Sequence, residues 1–154
     1  ALVAYLVSLS GVFDWSNGLY GGVVLKTALG KAGIAFWPAL ASGILCNILV
    51  SVTVWASYGA KDALAKVGIG WLGVFLFVCT GFEHCVANMY FIPAGIITNM
   101  ITGGDAIAGL DWVGMWTNNI IWATLGNIVG AVIFMAIVYY FCYKSEICAL
   151  CEVK

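Results

Sequence analysis

The chain has 154 residues, of which 64% are hydrophobic and 8% are charged, and its mean hydropathy is +1.06. Soluble domains carry roughly a quarter charged residues, which cover their surface, so this composition excludes an ordinary soluble fold. The net charge is −1 and there is no arginine, so we expect no nucleic-acid partner. At about 20 apolar residues per crossing, the chain has room for three full spans of a lipid bilayer and part of a fourth.

The cysteines predict neither a disulfide framework nor a metal site. Cys46, Cys79 and Cys85 lie inside apolar runs, where a thiol behaves as a small hydrophobic side chain. Cys148 and Cys151 form a Cys-x-x-Cys pair near the C-terminus, but a metal site needs further ligands and the chain contains one histidine. We interpret the cysteines as reduced thiols and expect no metal and no cofactor.

The N-terminal region is predicted to be the end of a helix followed by a loop. Residues 1–13 are apolar but too short to cross a bilayer, and nothing in them has the pattern of a signal peptide. We expect them to be the last part of a membrane helix whose beginning is missing, in a chain that is a fragment of a longer polypeptide. Residues 14–31 are predicted to form an extracytoplasmic loop, because they are rich in turn formers such as the Gly21-Gly22 pair.

Residues 32–60 are predicted to be the first complete membrane helix. They contain no charged side chain and carry tryptophan or tyrosine at both ends, as expected where aromatic rings lie among lipid headgroups. Asn47 lies in the middle of this segment and has two interpretations, since it either hydrogen-bonds a neighbouring helix or lines a pore. Val50 lies close to Asn47 on one helical face and has the same two interpretations.

The most apolar region of the chain is predicted to be a broken helix. After a short polar hairpin at residues 61–66, residues 67–104 are too long for one crossing at 1.5 Å per residue. Glu83 and His84 divide this region, and Pro93 adds a second expected interruption. Non-helical backbone at membrane depth needs cover from protein or water, and such breaks often mark substrate sites.

The C-terminal third is predicted to contain a loop at residues 105–111, a membrane helix at residues 112–143 and a polar tail at residues 144–154. Gly126 and Gly130 form a Gly-x-x-x-Gly motif, which lets another helix approach closely.

Lysine positions predict the orientation. With three crossings, one side of the membrane carries the larger share of the lysines, and the positive-inside rule assigns that side to the cytoplasm. The hairpin and the C-terminus are therefore expected to be cytoplasmic. The lysines on that side are Lys61, Lys66, Lys144 and Lys154.

Glu83 and His84 are ionisable residues at mid-membrane, where a charge costs roughly 3 kcal/mol or more and is rarely kept without a function. We favour proton handling by His84 over a histidine satisfied by backbone carbonyls, since histidine changes charge near physiological pH. We interpret Glu83 as a structural acceptor for N–H groups freed by the break, rather than as a contact for an anion. Phe77, seven residues before His84, either narrows a pore or packs in the ordinary way.

The segment around the break reads Gly81-Phe82-Glu83-His84-Cys85-Val86-Ala87-Asn88-Met89 and continues as Tyr90-Phe91-Ile92-Pro93-Ala94-Gly95-Ile96. It resembles the central signature of the formate/nitrite transporter family. The likeness extends from Lys31 onward, and its Glu-His-x-x-Ala-Asn core is specific. Further matching segments are Lys31–Gly33, Gly43–Val50 with Ser57, and Leu125–Ala131.

The resemblance implies a six-span, aquaporin-like protomer built from two inverted repeats and assembled as a homopentamer. Each protomer would hold a pore for small monovalent anions such as formate, nitrite or hydrosulfide. This chain corresponds to the second repeat, and the first-repeat segment of the same protein, which supplies the opposite pore wall, is absent from it. The resemblance assigns to the substrate pathway His84 as the central histidine, Asn47 as a polar lining group, Phe77 and Val50 as constrictions, and Lys31 at the outer vestibule. Glu83 and Asn88 are expected to be structural residues at the break.

Together these observations predict a channel or transporter in the inner (cytoplasmic) membrane, with small anions, protons and the lipid bilayer as partners. Lys31 and half-helix dipoles would attract an anion, and a dry ring at Phe77 would stop a bare charge. Proton donation through His84 would then give a neutral acid that passes. A metal or redox membrane protein, including an enzyme, and a non-transporting membrane scaffold are the alternatives.

Overall fold

The computed structural model describes residues 1–105 and 107–152, without the side chains of residues 147 and 149–152. The described residues form helices and connections with no strand, so the predicted all-α class is confirmed. In chain order the helices are α1 Leu2–Leu9, α2 Leu19–Ala32, α3 Phe36–Gly59, α4 Ala63–Cys79, α5 Cys85–Ile101 and α6, residues 112–152.

The last helix, α6, is a continuous run that contains two wider turns. It starts with one α-helical turn, passes through a π-helical turn, resumes as an α-helix, widens again and ends as an α-helix. These segments are Trp112–Gly114, Met115–Ile120, Ile121–Ala131, Val132–Ala136 and Ile137–Glu152. Their junctions all have right-handed helical dihedrals, so the direction of the helix is kept through both π turns.

Helices α3 and α6 pack backbone against backbone. A Cβ atom added to Gly126 would meet the carbonyl oxygen of Leu40, and one added to Gly130 would meet that of Ile44. A Cβ atom added to Gly43 of α3 would likewise meet the α6 backbone, at the carbonyl oxygen of Ala123. The helix that the Gly-x-x-x-Gly motif allows to approach closely is therefore α3.

Helix α2 packs against α5 in a similar way. Gly95 of α5 lies against the side chain of Ala28, and the two helices share a buried cluster with the start of α6. Small residues on α2 bring its C-terminal end close to the N-terminal end of α5. The cluster includes Ala28, Ala32, Ile92, Ile96, Met115 and Ile120.

The predicted interruption at Glu83-His84 is confirmed. Helix α4 ends at Cys79, residues 80–84 are not helical, and α5 begins at Cys85. Gly81 has φ +70°, a left-handed conformation that glycine adopts without strain, and this turns the chain out of α4. His84 then caps α5, since its Nδ1 accepts the N–H of Ala87 at 3.4 Å.

Within the described part of the chain, two helices are long and apolar enough by length and composition to cross a membrane, namely α3 and the Trp112–Glu146 part of α6. Helices α4 and α5 are apolar as well but have 17 residues each. They lie at the short end of the roughly 17–25 residues that a crossing takes, and we interpret them as the two halves of one broken helix. Which ends of these helices face the cytoplasm stays a prediction.

The loop predicted at residues 14–31 was wrong over most of its length. Val12–Asp14 form a short 3₁₀ turn, and Leu19–Ala32 form α2. Of the Gly21-Gly22 pair that suggested a turn, Gly21 serves close packing instead, while Gly22 faces open space. Gly21 lies against the carbonyl oxygen of Phe13 and leaves no room for a side chain there.

The hairpin predicted at residues 61–66 is shorter in the structure. Helix α3 ends at Gly59 and α4 already begins at Ala63. The reason is local, because the carboxylate of Asp62 accepts the N–H of Ala65 at 2.8 Å and thereby starts the helix.

Two other predicted interruptions are absent. Pro93 lies inside α5, where residues 92–98 are all buried, and this packing compensates for the single backbone hydrogen bond that proline removes. Helix α6 continues through residues 144–152 of the predicted polar tail, which contain strong helix formers such as lysine, glutamate and alanine. Residues 153–154 of that tail lie outside the described chain.

Candidate functional site

The carboxylate of Glu83 lies at the centre of a buried polar cluster in the break. Glu83 is 4% exposed, and Lys31 Nζ lies 2.9 Å from its Oε1. Its Oε2 accepts hydrogen bonds from the side-chain amides of Asn88 and Asn119. A buried charge is tolerated when it is both paired and hydrogen-bonded, and Glu83 meets both conditions.

Asn119, which comes from α6, ties this cluster together. Its Nδ2 donates to Glu83 Oε2 at 2.9 Å and to the main-chain carbonyl of Lys31 at 3.0 Å, and its Oδ1 accepts from Asn88 Nδ2 at 2.7 Å. Asn88 and Asn119 are both 0% exposed. The side chain of Asn119 therefore bonds to three places: the C-terminal end of α2, the N-terminal end of α5 and the middle of the break.

A second asparagine of α6, Asn127, satisfies the backbone of the break. Its Nδ2 donates to the carbonyl oxygens of Glu83 and Gly43, each at 2.9 Å, and its Oδ1 accepts from the N–H of Cys85 at 3.0 Å. The N–H of Glu83 donates to Ser42 Oγ at 2.9 Å. Side chains of α3 and α6 thus provide the cover that non-helical backbone needs at membrane depth.

His84 is half-buried beside the cluster and stacks on Phe77, with ring centroids 5.3 Å apart and an interplanar angle of 28°. Because Nδ1 accepts the N–H of Ala87, the neutral imidazole carries its proton on Nε2. Phe77 and His84 lie on opposite sides of the break, so the ring contact does not depend on one helical face. Phe77 is 9% exposed, which fits packing as well as a constriction.

His84 and Phe77 line a cavity of about 220 Å³ at the break. It brings Lys31, Phe77, His84 and Asn88 together, and its walls are mostly apolar. Lys31 Nζ also lies 5.9 Å from the centroid of the Phe91 ring, which lines the same cavity. The structure places Lys31 at the C-terminal end of α2, where a loop was predicted, and in the cavity at the break. Its role at an outer vestibule stays a prediction.

Asn47 and Val50 lie apart from this cavity. Asn47 Nδ2 donates to the main-chain carbonyl of Asn127 at 2.8 Å, which favours the interpretation as a hydrogen bond between helices. Val50 lines a separate groove with Trp55 and Tyr139, whose rings stack at 5.3 Å. The structure therefore brings together three of the five predicted pathway residues, and both residues predicted to be structural at the break.

Sequence reasoning missed Ser42, Asn119 and Asn127. The two asparagines carried the same signal as Asn47, a polar amide inside an apolar helix, which usually finds a partner on a neighbouring helix. Their common target was not visible, because Asn119 and Asn127 lie 36 and 44 residues from Glu83 in the chain.

Among the side chains that the structure describes, the cysteines form no cluster of this kind. Cys46, Cys79, Cys85 and Cys148 are free thiols, and the side chain of Cys151 lies outside the described residues. Among the described residues, no group of three or more His, Cys, Asp or Glu side chains could hold a metal ion.

Comparison with known proteins identifies the family. The sequence model of the family described as "Formate/nitrite transporter" matches residues 1–141. The chain belongs to the formate/nitrite transporter family. It is 39% identical over 154 residues to the formate channel FocA of Haemophilus influenzae, and 35% identical over 155 residues to that of Escherichia coli K12. Each alignment covers 94% of this chain and 54% of the relative.

Solved structures of the formate/nitrite transporter family share the fold. A structure titled "Pentameric formate channel with formate bound" superposes with a TM-score of 0.82 at 33% identity, covering 92% of this chain and 60% of that one. A second structure, titled "FNT family ion channel", superposes with a TM-score of 0.73 at 27% identity. The chain thus spans about half the length of the relatives it matches. The family resemblance predicted from the sequence is confirmed, and so is the expectation of a transporter family rather than an enzyme family.

Proposed function

We propose that this chain forms one half of a membrane channel for small monovalent anions, with formate, hydrosulfide and nitrite as candidate substrates. The observation that carries the proposal is the cavity at the break, where His84 and Phe77 stack beside the Lys31–Glu83 pair. The formate channels among its relatives support this substrate class.

The state of Lys31 supports a pathway that a neutral molecule crosses more easily than an ion. Lys31 already pairs with Glu83 at 2.9 Å, so an anion in the cavity meets a lysine whose charge is largely compensated. The remaining donors are weaker: the Nε2–H of His84 and the N-terminal end of α5. Burying an anion without a full counter-charge is costly, and the apolar rings of Phe77 and Phe91 add to that cost.

Proton donation removes this cost. The anion A⁻ takes a proton, either directly from a protonated His84, whose Nδ1 no longer accepts the Ala87 N–H, or indirectly through it, and becomes the neutral acid HA. The acid passes the Phe77 ring, and the imidazole is protonated again from the aqueous side. Glu83 and Asn88 stay structural in this mechanism, since their side-chain bonds fix the break rather than contact the anion.

The other half of the pore would come from the first-repeat segment of the same protein, and five protomers would assemble as a homopentamer. The pentameric formate channel of similar fold supports this arrangement. The protein would lie in the inner membrane as a multi-pass protein, with the lysine-rich hairpin and the C-terminus in the cytoplasm. The description of the family as a transporter favours this function over a membrane scaffold.

Flux measurements on the full-length protein in liposomes test the proposal. Formate, nitrite and hydrosulfide are compared over a range of external pH, with wild type beside His84→Phe. The Phe variant keeps an aromatic ring against Phe77 but has no ring nitrogen. We expect wild-type flux to rise as the pH falls, and the variant to lose this dependence. Equal flux and equal pH dependence in the two proteins would rule out a role for His84 in proton transfer.

A further inference from the structure

The π-helical turn at the start of α6 is an unusual feature beside the site. Over Met115–Ile120 the helix is wider than an α-helix, and the N–H of Ile121 bonds the carbonyl of Trp116, five residues earlier. In an α-helix that N–H would instead bond the carbonyl of Thr117. Single π turns inside α-helices are rare and occur frequently at functional sites.

A side chain compensates for the changed backbone pairing. The carbonyl of Thr117 accepts the indole N–H of Trp122 at 2.7 Å. The Trp122 ring in turn packs edge-on against Phe36 at the start of α3, with centroids 4.8 Å apart. The wide turn is thus fixed at two points, one within α6 and one on the neighbouring helix.

The turn determines where Asn119 points. A residue added to one turn rotates the preceding part of a helix by about 100° relative to the part that follows. Asn119 lies within the turn and is 0% exposed, and its amide makes the bonds to Glu83, to the Lys31 carbonyl and to Asn88. Its neighbour Asn118 is on the same turn but makes none of these bonds.

We propose that Asn119 is a positioning residue for anion passage, and that the π turn, held by the Trp122–Thr117 hydrogen bond, orients it. Asn119 does not line the cavity, and it acts through Glu83 and Lys31, which it holds in register beside His84. This inference rests on the proposed function for its effect on flux. Its structural part, the control of the break by the turn, stands on the contacts alone.

Two measurements on the full-length protein test the inference. The first is anion flux against pH in liposomes, and the second is hydrogen–deuterium exchange of the peptide that covers residues 80–88. The variants are Asn119→Ala and Trp122→Phe, singly and together. The controls are Asn118→Ala, on the same turn, and Trp116→Phe, a 48% exposed tryptophan of that turn.

We expect Asn119→Ala to accelerate exchange at the break about tenfold or more, because Glu83 and Lys31 each lose a hydrogen bond. The same variant is expected to shift the pH at which flux is half-maximal. Trp122→Phe removes one N–H and keeps an aromatic ring, and is expected to change both quantities in the same direction but less. Because Trp122 acts through Asn119, the double variant should match Asn119→Ala.

The outcomes separate the two proposals. A wild-type exchange rate at the break and an unchanged pH profile in Asn119→Ala would overturn the inference. So would a double variant whose effect equals the sum of the effects of the two single substitutions. If Asn119→Ala does not assemble, the test rests on Trp122→Phe. A wild-type exchange rate and a wild-type pH profile in that variant would overturn the role of the turn. If the wild type carries none of the three anions, the proposed function fails, while the exchange data still decide whether the turn controls the break.

Discussion

Lys31 and Glu83 form an ion pair at 2.9 Å between residues 52 positions apart, and both side chains are largely buried, at 16% and 5% exposed. The pair joins the end of α2 to the centre of the break between α4 and α5. It therefore fixes the position of the loop that carries His84, and it also determines how much positive charge an anion in the cavity meets.

The first prediction concerns this pair. Lys31→Met and Glu83→Gln each leave one buried charge without its partner, which typically costs about 3–5 kcal/mol. We expect both variants to lower strongly the thermal stability of the assembled full-length protein in detergent. The double variant leaves no lone charge and should be more stable than either single variant. Lys26→Met, at an exposed lysine of α2, is the control. The prediction is contradicted if the double variant is no more stable than the more stable of the two single variants.

The second prediction concerns Phe77, which stacks on His84. Phe77→Ala removes a ring that lines the cavity and that, in the proposed mechanism, stops a bare anion, so an anion would then retain water as it passes. We expect flux to increase and its pH dependence to become shallower, measured in liposomes. Phe75→Ala, at a 46% exposed ring on the same helix, is the control and should behave like wild type. If Phe77→Ala lowers stability but leaves the pH dependence unchanged, the ring has only a packing role.

The third prediction separates the two interpretations of Asn47. Its amide donates to the carbonyl of Asn127 at 2.8 Å, away from the cavity. Asn47→Leu is therefore expected to cost about 1 kcal/mol of stability, the usual net contribution of a hydrogen bond. The ratio of formate to nitrite flux should not change. An altered ratio in a stable variant would instead support the pore-lining interpretation.

The fourth prediction concerns the contact between α3 and α6. At Gly126 an added Cβ meets the carbonyl of Leu40, whereas at Gly70 in α4 it meets open space. We expect Gly126→Ala to destabilise the protein by about 1–3 kcal/mol through overpacking. Gly70→Ala should be neutral or stabilise it by up to about 1 kcal/mol, since alanine is the better helix former. Thermal unfolding of the two variants in the same detergent is the comparison, and equal losses would show that the close approach is not needed.

Part of the fold followed from the sequence alone. The two ionisable residues in the middle of an apolar region marked the break, because this signal is local. The Gly-x-x-x-Gly pair indicated a close helix contact for the same reason. Helix α2 was missed, since glycines that allow close packing have the same local pattern as glycines that form turns.

The candidate site was predictable only in part. Glu83, His84 and Asn88 are neighbours in the chain, so their meeting at the break was visible in one segment. Lys31, Asn119 and Asn127 come from α2 and α6, and no periodicity within a segment relates them to Glu83. Asn47 was assigned to the pathway by resemblance, but the direction of its side chain depends on where α6 lies, because its amide bonds a carbonyl of that helix.

The sequence by itself determined that the chain is apolar and helical, and that one helix is interrupted at Glu83-His84. These properties depend on composition and on neighbours within a few residues. Only the tertiary structure decided what surrounds the break, because the groups that satisfy Glu83 are brought to it by close packing of α2 on α5 and of α3 on α6. The partners of a buried charge are determined by which helices meet, and that is a property of the whole packed chain.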